Sequence, residues 1–296
     1  MNLIINKASL LALVIAAGCG AAGRGTPDGG GHPLGDGHVD PGPQQGCDTG
    51  AAGCYTVYAH ADHHLYLIDL MAKSLVDVGP FNAPQVPGTN GKLAEDVITD
   101  LAVSPDGTIY VVSKTSLYTA SAMNGQVTRV AGISTCGADV VALSFTPDGG
   151  LYTADYMGAF CKITVSGNSA QVQSVGTISG GMAISGDLVA VGDGTMYGTA
   201  YSLSDSSTTT NNSLVKVNPM NGQVQFIGKT GFPKLFGAAF ALGQVFGFTH
   251  DGSGDVITIN PQTGQGTLFN TFKDPSTGNG ISFAGAGVNA NVSPIM

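Results

Sequence analysis

The chain has no tryptophan, a single glutamate (Glu95), and charged side chains at only 10% of its 296 positions. So sparse a charge cannot clothe the solvent faces of a helix-rich soluble protein, and no segment past the N-terminus carries a helical period. Zero tryptophan disfavours a sugar-stacking platform, although tyrosines can stack on sugars too. Residues 1–18 hold only Lys7 among charged groups, and the remainder sets 20 acidic against 10 basic side chains. That balance argues against nucleic acid and against docking on anionic lipid through basic patches. There is no Cys-x-x-Cys, no Gly-x-Ser-x-Gly elbow, no Walker loop and no dinucleotide fingerprint with a following helix.

Glycine, at 45 residues, is abundant, and much of it sits in two turn phrases that alternate down the chain. The first is Ser104-Pro105-Asp106-Gly107, Thr146-Pro147-Asp148-Gly149, Gly192-Asp193-Gly194 and the degenerate Ala241-Leu242-Gly243. The second is Met123-Asn124-Gly125-Gln126, Ser166-Gly167-Asn168, Met220-Asn221-Gly222-Gln223 and Gln262-Thr263-Gly264-Gln265. Their last glycines step by 42, 45 and 49 residues and by 42, 55 and 42. Asn-Gly and Asp-Gly between apolar runs are hairpin turns, and four short strands per repeat of about 40 to 50 residues describe a β-propeller blade.

The expected fold is therefore all-β, a propeller of four-stranded antiparallel blades, five in number, or six if residues 80–96 hide a degenerate one. Three strands, at residues 55–59, 65–69 and 74–78, precede the first full blade, and Gly280-Ile281-Ser282-Phe283-Ala284 is a spare apolar strand at the other end. Pairing the spare strand with the N-terminal three closes the ring and removes open sheet edges. A polar insert, residues 202–212, accounts for the long 55-residue step.

The N-terminus indicates export. Lys7 precedes an apolar run, residues 8–17, of secretory-signal length. It ends in Ile15-Ala16-Ala17-Gly18-Cys19, which resembles a bacterial lipobox, with alanine at 16 where leucine is usual. The resemblance implies cleavage after residue 18, acylation of Cys19, and an outer-membrane address, since Gly20 is unlike an inner-membrane retention signal. Residues 1–18 are thus read as signal peptide, 19–54 as lipidated cysteine and flexible Gly/Pro-rich tether, and 55–296 as propeller. The tether has too little apolar surface to offset the entropy of ordering. Four cysteines remain in an exported chain, and two disulfides are expected, Cys47 with Cys54 and Cys136 with Cys161.

Residues 55–292 resemble bacterial propeller repeats of the NHL and YVTN type, a resemblance of repeat and not of any enzyme. Such scaffolds carry lactonases, glycosidases, lectins and interaction modules, so function must be argued from a site. Loops from second to third strand, and from fourth strand to the next blade, share the face where propellers usually bind ligands. That face gathers His60, Asp62, His63, His64, His250 and Asp251, a side-chain set suited to a divalent metal ion. It also gathers Glu95, Asp96, Asp100, Asp139 and Tyr156. A gluconolactonase-like enzyme would need a glutamate and several Asn or Asp residues around a central metal, and only Glu95 with Asp96, Asp100 and Asp139 answers that description. Asp251, Ser253 and Asp255 alternate as in calcium loops but lack the terminal bidentate glutamate, so they read as a turn. The repeated Asp106, Asp148 and Asp193 are read as structural. The expected function is a noncatalytic binding scaffold at the cell surface, taking a protein or polymer ligand as a monomer and touching the membrane only through its lipid. The alternative is a metal-dependent hydrolase or lactonase at the channel mouth.

Overall fold

The computed structural model describes residues 56–87, 92–204 and 212–289; Cys19, Cys47 and Cys54 lie outside them. Five four-stranded antiparallel sheets form the ring. Blade two runs from its inner strand Ile98–Val103 through Ile109–Ser113 and Ser116–Ala120 to the outer Val127–Gly132. Blades three, four and five repeat the order from inner strands Val140–Phe145, Met182–Ala190 and Leu235–Ala241. Blade one is built from both ends of the chain: Gly285–Gly287 is its inner strand, followed outward by Thr56–His60, His64–Asp69 and Ser74–Pro80. Among the described residues of 80–96 there is no sixth blade but a small hairpin, Gln85–Pro87 with Leu93–Glu95. Among the described residues no helix is long and apolar enough to cross a membrane.

The turn phrases act as their chemistry requires. Asp106 accepts the Ser104 hydroxyl and, at 3.0 Å, the Thr108 amide, while Gly107 takes φ +89°. Thr146 and Asp148 repeat the arrangement one blade later, hydroxyl to carboxylate at 2.5 Å. Each turn satisfies its own polar groups locally, which leaves the flanking strands free to pair.

Alternation then sends one face of every strand into the gap between neighbouring blades. Five apolar cores result, one per gap, and the gap between blades five and one is filled by Tyr66, Ile68, Phe246, Phe248 and Phe283. Phe283 is fully buried, an aromatic burial of about 1.5–3 kcal/mol.

The closing strand lies five residues beyond the apolar run expected for it. Steric room explains the shift. At the hub a Cβ on Gly285 would run into Asp100 Oδ1 and His60 Nε2, and one on Gly287 into Leu101. Bulky Ile281 and Phe283 have no place there and pack into the blade gap, while Gly285, Ala286 and Gly287 pair with His60, Ala59 and Tyr58.

The inner strands of blades two to five share one irregularity. Each shifts register near its start, between Ile98 and Asp100, Val140 and Ala142, Ile184 and Leu188, and Leu235 and Gly237. Each inner strand is also the open edge of its sheet, and the amides on that edge have no ladder partner.

Candidate functional site

Two carboxylates take up those amides. Asp100 Oδ2 accepts the Leu143 amide of blade three at 2.5 Å. Asp187 Oδ2, on blade four, accepts Ala238 of blade five at 2.6 Å and Ala286 of blade one at 3.2 Å. Both side chains are wholly buried, and each leaves an Oδ1 that no protein donor reaches. Asp100 thus bonds the inner strands of blades two and three, and Asp187 those of blades four, five and one, so all five meet on one pair of aspartates. Burial, then repulsion from Asp187, pushes Asp100 well above the usual carboxylate range; burial does the same to Asp187 against the pull of its amide donors.

His60 flanks this pair. It is fully buried beside Gly285, with Nδ1 at 2.8 Å from the Ala61 carbonyl and its ring edge-on to Phe81. Donating that Nδ1 proton fixes Nε2 as a bare acceptor. Burial dominates its titration and lowers its pKa to about 4, so the ring is neutral at pH 7.

The other histidines of the hairpin go elsewhere. His63 faces Glu95 at 3.5 Å, His64 faces Asp77 at 3.2 Å, and Asp62 is exposed to solvent. Strand alternation separates neighbours in sequence to opposite faces. His250 stacks on Phe236 with ring centroids 4.6 Å apart, and Asp251 accepts the Ser253 amide of its own turn at 3.0 Å. Asp96 accepts the buried Tyr118 hydroxyl at 2.6 Å, Glu95 also accepts the Ala83 amide at 2.9 Å, and Asp139 pairs with Lys114 at 2.7 Å. Among the described residues no group of three or more His, Cys, Asp or Glu side chains is placed to hold a metal ion.

The rim beside blades three and four has a different character. Tyr156 and Met157, in the second-to-third-strand loop of blade three, are 43% and 83% exposed, and Leu203, where the polar insert begins, is 65% exposed. Tyr156 meets Tyr201 of blade four with centroids 5.9 Å apart, and burial together with a hydrogen bond to Tyr156 pushes the Tyr201 hydroxyl upward in pKa. The Leu203 amide donates to the Gly181 carbonyl at 2.9 Å, which extends blade four's own Met182–Ser202 pairing to the root of the insert. Near this rim the Cys136–Cys161 disulfide, Cα atoms 5.9 Å apart, ties the link between blades two and three to the third strand of blade three. The opposite face offers a shallow groove of 490 Å³ between blades two and three; its carboxylates, Asp106 and Asp148, are already engaged by Ser104 and Thr146.

Sequence reasoning reached Asp100 and Tyr156 but not Asp187 or Tyr201. Asp187 had a readable signal: it is the lone charge in the apolar stretch of residues 182–191, as Asp100 is within residues 98–103. A charge in such a run marks a buried carboxyl with partners.

No protein-family model matches the sequence, and no curated protein matches it. Among solved structures, that of a nidogen/laminin complex aligns with TM-score 0.52 at 11% identity over 80% of this chain and 99% of the other. The likeness is one of fold alone. A Bacteroides thetaiotaomicron protein of unknown function aligns at TM-score 0.48 and 16% identity, over 79% of this chain and 60% of that one. A symmetrical protein of de novo evolutionary emergence aligns at 0.42 and 16%, over 81% and 98%. The β-propeller thus rests on its own strand order and on this shared architecture.

Proposed function

We propose that the chain is an exported, outer-membrane lipoprotein, anchored by acylated Cys19, whose propeller binds a protein or polymer ligand at the cell surface without catalysing a reaction. The observation that carries the reading is the exposed apolar trio Tyr156, Met157 and Leu203 at one rim. These side chains lie in loops that do not repeat from blade to blade, so blade architecture does not require them. Aromatic and methionine side chains exposed together on a rigid frame are the composition of a protein-recognition surface. The carboxylates near the axis are committed to backbone amides, which favours the rim over the channel mouth.

Two measurements test the reading. Cys19→Ala is expected to move the protein from the membrane fraction to the soluble fraction, and unchanged membrane retention would remove the anchor from the proposal. The purified propeller is expected to be retained on cell envelopes of the producing organism, and a Tyr156→Ala, Met157→Ala, Leu203→Ala variant is expected to be washed away. Equal retention of the two would move the binding surface off this rim.

A further inference from the structure

We infer that Asp100 and Asp187 form a single-proton binding site that locks the five blades together at the hub. Two fully buried carboxyl groups meet at the hub, each with an Oδ1 that no protein donor reaches, and neither carboxylate has a hydrogen to give the other, so a proton on one of them is what relieves their repulsion. Nothing nearby replaces that proton. Every lysine and arginine of the described residues lies outside the buried set, so no cation is enclosed with the pair.

The ionisable group packed closest is His60, whose Nε2 abuts Gly285 together with Asp100 Oδ1. It is neutral, and Nε2 and the two Oδ1 atoms are buried with no protein donor assigned to them. Asp62 and His250 act on His60 in opposite directions. No three His, Cys, Asp or Glu side chains among the described residues are grouped to bind a metal. A proton is what the arrangement accommodates.

The site also does structural work that a lone buried acid would not. Asp100 holds blade three, Asp187 holds blades five and one, and the shared proton holds Asp100 to Asp187. Remove it and two anions face each other in the driest part of the molecule, with the five inner strands bonded to them. The folded protein therefore carries one more proton than the unfolded chain over the range above the ordinary carboxylate pKa and below the raised pKa of the pair. In that range each unit of pH rise lowers the folded-to-unfolded ratio by up to about tenfold.

The experiment is urea unfolding of the full chain from about pH 5 to about pH 10, which spans the range in which this linkage acts. Asp187→Asn and Asp100→Asn are compared with the unaltered protein. Asparagine keeps an oxygen for the amides and presents a permanent N–H to the partner carboxylate, so it imitates the protonated state. Expected is an alkaline loss of stability that either substitution removes. A wild type insensitive to alkali, or an Asp187→Asn protein that keeps the full loss, overturns the proposal. So does stabilisation by calcium or zinc with loss on chelation, because a cation would then neutralise the pair. Should neither variant fold, the wild-type infrared spectrum at neutral pH decides: a protonated-carboxyl band that moves on deuteration supports the site, and its absence overturns it.

Discussion

Gly79, on the outer strand of blade one, packs backbone to backbone against Gly125 in the Asn-Gly turn of blade two, and a Cβ on either would meet main-chain atoms of the other blade. The pattern recurs between Gly176 and Asn221 and between Gly228 and Gly264. The hairpin glycines thus serve twice, once for positive φ and once for close approach between blades.

Gly125→Ala is therefore expected to destabilise by more than about 2 kcal/mol, the left-handed cost of roughly 1–2 kcal/mol being joined by the collision with Gly79. Gly107 has φ +89° but open space where a Cβ would go, and Gly107→Ala is expected to cost only the conformational part. Equal urea midpoints for the two variants would show that inter-blade contact contributes nothing.

Replacing both Cys136 and Cys161 by serine should lower stability by about 3 kcal/mol, the loop-closure value for a separation of this size; the separation is 25 residues. The check is the thermal midpoint of the oxidised protein against the variant and against the reduced wild type. Coincident midpoints would mean that the bridge adds no stability.

His60 governs the acid side. Its pKa is lowered from 6.5 to about 4 by burial, so the unfolded chain binds its proton first, and its stabilising contribution is complete above about pH 6.5 and lost as pH falls toward 4. The loss amounts to about 3 kcal/mol over that interval. The aspartate pair has the opposite slope there, since its pKa values are raised, and partly offsets the His60 effect. Above pH 6.5 the pair's downward slope continues, joined near the ordinary tyrosine range by the tyrosines that burial raises. In His60→Gln the acid loss should vanish, leaving a profile that falls with rising pH throughout; urea midpoints at pH 4.5, 6 and 7.5, chosen to bracket the titration at about these values, measure it.

Alanine at Tyr156, Met157 and Leu203 should leave the unfolding midpoint within about 0.5 kcal/mol per site, as expected for surface positions. A cooperative loss of several kcal/mol would mean that these side chains hold blades three and four together and are not held in reserve for a ligand.

The scaffold was legible in the sequence because its turns announce themselves. Asn124-Gly125 and Pro105-Asp106-Gly107 have few conformations open to them, and the strands between them follow. The hub was half legible. Asp100 follows Glu95 and Asp96 closely in sequence, whereas Asp187 stands alone in Met182–Ala190, all nine residues of which are buried, so alternation disappears there. The histidine cluster misled for a related reason. Proximity in sequence from His60 to His64 spans a tight hairpin, and its geometry turns one ring inward and sends its neighbours to Glu95 and Asp77. Bringing side chains together depends on register and bulges, which single-sequence patterns express only weakly.

The chain enters the propeller at Thr56–His60, which is no edge strand but the second strand of blade one, clasped between Gly285–Gly287 on one side and His64–Asp69 on the other. A pull on the N-terminal segment would load both ladders in shear, with many hydrogen bonds resisting together instead of peeling one by one. Ring closure by the two chain ends thereby becomes a mechanical clamp on the strand at which the described chain begins.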